Sequence, residues 1–351
     1  LLTHDCSTLG GASGSLVVDV ATGHAIGLHC SGSSRKNNYA VQAAEIRKVL
    51  SRLNVRLTVP IQPPRAPAVI ATASAGELSS RIGYQSGFLG SPSAFRVPLP
   101  RLRRSIAGDL APVRGRQDGI LHYTHFSIAV NARRRMAFYA ACNIDGKTSL
   151  NLRRSRDRWT LDPRLDRAHQ AGDELYRQND LDRGHLVRRL DPVWGDPEEA
   201  QRANEDTFFY TNAAPQHARL NQGHWNDLED YILNNANALD LRVSVFTGPV
   251  FLEDDPDYQG FRLPQRFWKV VVVVNGETHK LHATAYMLSQ RDLLTGIEFV
   301  FGQFRTYQVP ISEVERQTHL RFDKLRRYDP LKDRETFAIR EITSLRDIVL
   351  S

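Results

Sequence analysis

Residues 267–274 read FWKVVVVV, and Val270 to Val274 form an unbroken run of five valines. The run is short and β-branched, which fits a strand buried on both faces of a sheet and falls well below the length of a bilayer-spanning helix. Other strand-like stretches are YTHFSIAV (123–130), RRMAFYAA (134–141), FFYTNA (208–213), RVSVFTGPV (242–250) and LHATAYML (281–288). Together they predict a central, mainly antiparallel sheet with a helix starting at LNQGHW (220–225) packed against it, an α+β arrangement.

The chain has 351 residues and a formal net charge of +7, enough for one large domain plus a smaller piece and a charge balance that favours a polyanionic partner. Its arginines cluster as RLRR (101–104), RRR (133–135), RRSRDR (153–158) and RR (188–189). There is no zinc-finger spacing, no basic region leading into heptads and no aromatic RNA-recognition signature, so contacts to nucleic acid would go to the backbone. Three cysteines, Cys6, Cys30 and Cys142, form no CxxC pair, and nothing resembles a signal peptide. The chain reads as soluble, with no membrane partner. The acidic EDDPDYQG (253–260) lacks the spaced ligands of a calcium loop and reads as a surface turn.

The chemistry concentrates in RQNDLDRGHLVRR (177–189) and LNQGHWNDLEDYI (220–232). Hydrolysis of a phosphodiester needs a base for water, a hard cation, an oxygen ligand for that cation and positive charge at the phosphate. His185, Asn221, Glu229 and Arg183 could supply these. Gly184 would let the backbone turn sharply just before the imidazole. Leu220, Trp225, Leu228, Tyr231 and Ile232 recur at near-helical spacing, and Glu229 follows Asn221 by a little over two turns at about 3.6 residues per turn, so both lean to one side. A site with few protein oxygens suits magnesium better than zinc.

Together these segments resemble the DNA/RNA non-specific endonucleases of the ββα-metal (His-Me finger) class, which includes the endonuclease G group. The likeness starts at GYQSGFLG (83–90) and VPLP (97–100) and runs through YTHFSIAVNARRRMAFYAACNIDG, DLDRGHLVRR, EDTFFYTNAAPQ, LNQGHWNDLE, VFTGPVF and FWKVVVVVN, so residues 83–351 are expected to form the nuclease domain. The resemblance implies His185 as general base, Asn221 as direct Mg2+ ligand with Mn2+ able to substitute, Glu229 acting on the metal through water, and Arg183 as a phosphate contact. It also implies an upstream arginine near a Trp and an Asp-Pro pair. RRSRDRWTLDP (153–163) offers Arg154, Arg156 and Arg158, of which Arg158 is favoured as a catalytic phosphate contact with Arg156 as a further substrate contact. Asp182 is placed outside the site. The implied substrates are DNA and, as an alternative, RNA, cut to 5′-phosphate products without sequence preference; a homodimer and a restraining inhibitor are the implied partners.

Residues 1–53 carry a different pattern. HDCSTLGGASGSLVVDVATGHAIGLHCSG (4–32) places Gly11, Ala12, Ser13 and Gly14 between strand-like segments, followed by YAVQAAEIRKVLSRL (39–53). This resembles the nucleophile loop, strand, turn, strand and closing helix of a trypsin-like serine protease, a small β-rich remnant of that barrel. The resemblance implies Ser13 as nucleophile and the N–H groups of Gly11 and Ser13 as oxyanion hole. Ala12 departs from the usual residue, and Cys6 and Cys30 flank the loop as a candidate disulfide. The family's His and Asp belong upstream, and His4, His24 and His29 do not replace them, so peptide hydrolysis would need an upstream protease fragment. The proline-rich and small-residue stretch 54–82 reads as a linker. A chain opening at Leu1 suggests either a protease-nuclease fusion activated by cleavage or, with equal weight, an incomplete sequence. The rival readings are a serine protease using Ser13, and a basic module that grips nucleic acid without cutting it.

Overall fold

The computed structural model describes residues 2–4, 16–18, 25–32, 38–52, 73–91, 93–153, 157–177, 179, 181–217, 229, 232–234, 236–276, 278–290, 305–332 and 340–342. The chain divides into two units, Leu1–Ile70 and Ala71–Ser351. In the first, β1 (Leu2–His4), β2 (Leu16–Val18), β3 (Ala25–Gly32) and β4 (Asn38–Gln42) form a sheet in the order β1-β4-β3-β2, followed by helix α1 (Ala43–Arg52). The strand, turn, strand and closing helix expected for residues 4–53 correspond to β2, β3 and α1, with Asn38–Gln42 adding a strand where the helix was expected to begin. Cys6 and the Ser13 loop lie outside the described residues.

The second unit opens with α2 (Ala75–Ser79), in the stretch expected as linker. A capping box fixes it: the Ser74 hydroxyl accepts from the Glu77 N–H and the Glu77 carboxylate accepts from the Ser74 N–H. Leu78 is fully buried in the core, so this turn belongs to the folded unit.

The strands that follow are β5 (Arg101–Leu102), β6 (Ile120–His122), β7 (Phe126–Asn131), β8 (Met136–Asp145), β9 (Leu181–His185), β10 (Ala213–His217), β11 (Arg242–Val250), β12 (Asp257–Tyr258), β13 (Phe261–Arg262), β14 (Arg266–Val274), β15 (Leu281–Ser289), β16 (Arg305–Val309), β17 (Leu320–Arg321) and β18 (Arg340–Ile342). Among the described residues the main sheet has eight strands, β18-β16-β15-β14-β11-β8-β7-β6. Its neighbours pair antiparallel throughout. The valine run forms β14, which sits between β11 and β15 in the interior of the sheet, as its composition predicts.

Both faces of β14 are covered. Trp268, Val270 and Val272 pack into one core layer with Phe246, Ala283 and Ala285, while Phe267 and its odd-numbered neighbours Val271 and Val273 meet the other, with Val245, Ile128 and Leu288. This period-2 division follows from the pleat. The predicted strand at 123–130 starts late, at Phe126, because His125 sits in the left-handed region at φ 67°, and Ile120–His122 forms a separate hairpin arm.

FFYTNA is not a strand of the central sheet. Residues Tyr210–Asn212 make a 3-10 turn, and the chain becomes extended only at Ala213, where it pairs with β9. The side-chain amide of buried Asn212 donates to the carbonyls of Val187 and Thr207, which turns the backbone there. The acidic EDDPDYQG stretch does make a short hairpin with Gly260 at φ 76°, but Asp255 within it is buried against Arg134 at 3.0 Å rather than a surface residue.

His122, at the end of β6, gives the fold a pH dependence. Burial, with the Arg116 charge nearby, pushes its imidazole down to about 4, and its Nδ1 lies 2.7 Å from the Ser127 hydroxyl. The folded state therefore holds it neutral, while the unfolded chain takes up a proton near the ordinary value of about 6.5. The stabilisation is present above that value and is lost as pH falls from about 6.5 toward 4. Discounted for partial exposure, the loss should be about 2 kcal/mol. Denaturant unfolding at both ends of this window should show His122→Gln with a correspondingly flatter pH dependence than wild type; equal slopes would exclude His122 as the source.

Candidate functional site

The site grows from the β9–β10 pair, in which His185 lies opposite Ala213, Gly184 opposite Ala214 and Asp182 opposite Gln216. Gly184 is not in a left-handed conformation and makes no sharp turn, contrary to the expectation from sequence. Its role is steric: a Cβ there would come within 2.1 Å of Oε1 and 2.2 Å of Cδ of Gln216. Only glycine lets that buried side chain lie across the strand beside His185.

Two aromatic rings fix the His185 imidazole. Trp159 lies 4.7 Å from it between ring centroids, tilted by 50°, and Phe208 meets it edge-on at 5.2 Å and 85°. The segment after it is pinned by Asn212, whose carbonyl oxygens accept from the N–H groups of Leu186 and Val187. Asn212 is fully buried, and its positioning role is a feature that sequence reasoning missed. The signal was present in FFYTNAA, where a Thr-Asn pair interrupts aromatic and small apolar residues.

Arg183, two residues before His185, reaches into an open cleft of about 710 Å³ that is also lined by Arg158, Trp159, Asp173 and Tyr210. The favoured upstream arginine and the motif arginine thus meet on one cleft. Arg154 and Arg156 lie outside the described residues. The register that delivers Arg158 and Trp159 comes from two backbone bonds, the Thr160 N–H to the Phe208 carbonyl at 3.1 Å and the Tyr210 N–H to the Thr160 carbonyl at 2.8 Å.

In this state the guanidinium of Arg183 pairs with Asp173 at 2.5 Å and lies over the rings of Tyr176 and Tyr210, at 5.1 and 5.9 Å from their centroids. Arg177 also binds Asp173, which with Arg183 and the Tyr210 hydroxyl holds that carboxyl below its usual range. An incoming phosphate would have to take over a contact that Asp173 makes here. The acidic lining of Asp157, Asp173 and Glu174 was not anticipated from the sequence.

Residues 229, 232–234 and 236–238 are helical, in keeping with the predicted helix, while Asn221 and Trp225 lie outside the described residues. The Glu229 carboxylate is nine-tenths buried and its Oε1 receives the ammonium of Lys269 at 3.0 Å. Asp191 is buried in the same electrostatic neighbourhood, where loss of water pushes its carboxyl up to about 7, opposed by the Lys269 charge and reinforced by Glu229. Neither Lys269 nor Asp191 was singled out from sequence, because their importance depends on burial. Among the described residues no three His, Cys, Asp or Glu side chains gather as a metal cage. A carboxylate such as Glu229, with one of its two oxygens engaged by Lys269, has chemistry that suits a hard cation keeping much of its own water.

Residues 111–328 match the family described as DNA/RNA non-specific endonuclease. The chain is 41% identical over 271 residues to protein y4fB of Sinorhizobium fredii, covering 72% of this chain and 40% of that protein. It is 30% identical over 166 residues to human mitochondrial endonuclease G, covering 44% of this chain and 52% of that protein. The chain therefore spans about half, or less, of the length of these curated relatives. A crystal structure of an EndoG/EndoGI complex aligns with a TM-score of 0.47 at 23% identity, over 59% of this chain and 87% of that one.

Proposed function

Because the chain belongs to the DNA/RNA non-specific endonuclease family, we propose that it is a magnesium-dependent nuclease that hydrolyses phosphodiester bonds of DNA, with RNA as a second substrate, without sequence preference. The observation that carries this reading is the convergence at one cleft. Arg158 and Arg183 line it, and Trp159, which also lines it, packs against His185.

In this reading His185 takes the proton from the attacking water, with its ring orientation set by Trp159 and Phe208. Arg183 and Arg158 neutralise charge on the phosphate, Arg183 exchanging Asp173 for a phosphate oxygen. Asn221 would hold the cation directly and Glu229 through water. Bound there, magnesium, or manganese in its place, would supply charge stabilisation at the departing oxygen. With a net charge of +7 and no base-reading element, binding should fall steeply with salt.

The strand order of the first unit supports reading residues 1–53 as the C-terminal portion of a trypsin-like domain, which contributes no cleavage chemistry of its own.

The test is incubation of the chain with plasmid DNA, single-stranded DNA and RNA, with magnesium and with excess chelator. Duplex DNA should be nicked and then cut with magnesium and left intact with chelator, and the rate should drop as salt rises. Cutting that persists in chelator would exclude this mechanism.

A further inference from the structure

Lys269 interrupts the most apolar stretch of the sequence, FW-Lys-VVVVV, at a position where the pleat calls for an apolar residue. Alternate residues of β14 face opposite core layers, and Lys269 falls on the side of Phe267, Val271 and Val273. It stands opposite Thr247 on β11 and Tyr286 on β15, and is only 1% exposed. An ammonium in such a place is costly unless it is paired. Its Nζ lies 3.0 Å from Glu229 Oε1. A buried ion pair rarely stabilises a core more than apolar side chains of similar volume would, so stability alone does not account for this one.

We propose that Lys269 is a positioning residue for the candidate metal site: by holding Oε1 of Glu229 from the rigid interior of the sheet, it leaves Oε2 as the oxygen that serves the hard cation and its water. The inference rests on the nuclease reading and adds to it a residue 40 positions along the chain from the carboxylate it acts on. The physical basis is that a carboxylate fixed by one oxygen has lost its rotational freedom before the ion arrives, and outer partners of this type raise metal affinity by about ten- to a hundredfold. The central strand is a suitable anchor because it is paired on both sides over its length.

Lys269→Arg keeps the charge but changes the size and geometry of the donor. Mn2+ binding to the full chain by titration calorimetry, thermal unfolding, and the Mg2+ concentration for half-maximal plasmid nicking would be measured on the wild type, Lys269→Arg, Glu229→Gln and the double variant. Folded Lys269→Arg should bind Mn2+ about tenfold or more weakly and need correspondingly more Mg2+, with KM for DNA near the wild-type value. The double variant should lose no more than Glu229→Gln alone, since Lys269 acts through Glu229. Wild-type Mn2+ affinity in a folded Lys269→Arg, or independent additive losses in the double variant, would overturn the proposal. If Lys269→Arg does not fold, the same titration on Lys269→Gln decides by the same criteria. A wild-type chain that binds Mn2+ but never cuts nucleic acid would sink the nuclease reading while leaving the Lys269 comparison measurable by calorimetry.

Discussion

His185→Ala should lose about 10²- to 10⁴-fold in plasmid cleavage, the range expected when a general base is removed. DNA binding should persist, because Arg183 and Arg158 line the cleft independently of the imidazole. The fold should persist as well. His185 is half-buried at the end of a short strand, and the backbone bonds that pin the following segment run to Asn212 and do not involve the ring. Trp159 and Phe208 lose one aromatic neighbour but retain their contact with each other at 5.5 Å. Nicking kinetics and a filter-binding or anisotropy measurement on the same preparations separate chemistry from affinity. A variant that cuts at the wild-type rate would remove His185 from the mechanism, and one that fails to bind DNA would make it a binding residue instead.

The largest stability loss should come from Asp162→Asn, about 3–5 kcal/mol, a cost typical of breaking a buried ion pair from one side. Asp162 has a fully buried carboxylate whose two oxygens are fully used. Oδ1 accepts from the backbone N–H and Nε of Arg164 at 2.8 and 3.0 Å, and Oδ2 from Nη2 of Arg164 and the Tyr123 hydroxyl at 2.7 and 2.6 Å. Asparagine would turn an N–H₂ toward donors and leave the Arg164 guanidinium, 2% exposed, without a counter-charge. For a unit of this size the melting temperature should fall by roughly 10 °C. The loop that carries Arg158 and Trp159 to the cleft is anchored at the same place, because Gln170 accepts from the Asp162 N–H and donates to its carbonyl. Cleavage should therefore weaken at temperatures where the fold still holds. Scanning calorimetry of the two proteins gives the answer, and a melting temperature unchanged by the substitution would mean that Arg164 finds its compensation elsewhere.

The Asp-Pro pair that accompanies the upstream arginine shows how far sequence could go. Position 162 was visible as a landmark, but its use as a counter-ion for Arg164 became apparent only once both side chains were known to be buried. FFYTNA failed as a central strand for a related reason. Its aromatic content suits a strand, but the amide of Asn212 ties the carbonyl of Val187, just after His185, to that of Thr207, just before this segment, and turns the chain at 210–212. Gly184 was found for the wrong cause: the sequence suggested a turn, whereas the fold uses the missing Cβ to admit Gln216.

By itself the sequence determined the interior strand, since five valines in succession can be satisfied only where both faces are covered, and it placed Arg183 and His185 two residues apart in one motif. Both are local properties, encoded by residues that are neighbours in the chain. Only the tertiary structure decided that Arg158 and Trp159 join them, that Asp173 occupies Arg183, and that Lys269 meets Glu229. Pairings of this kind depend on strand register and on removal from water, and an isolated charge in a sequence carries no mark of either.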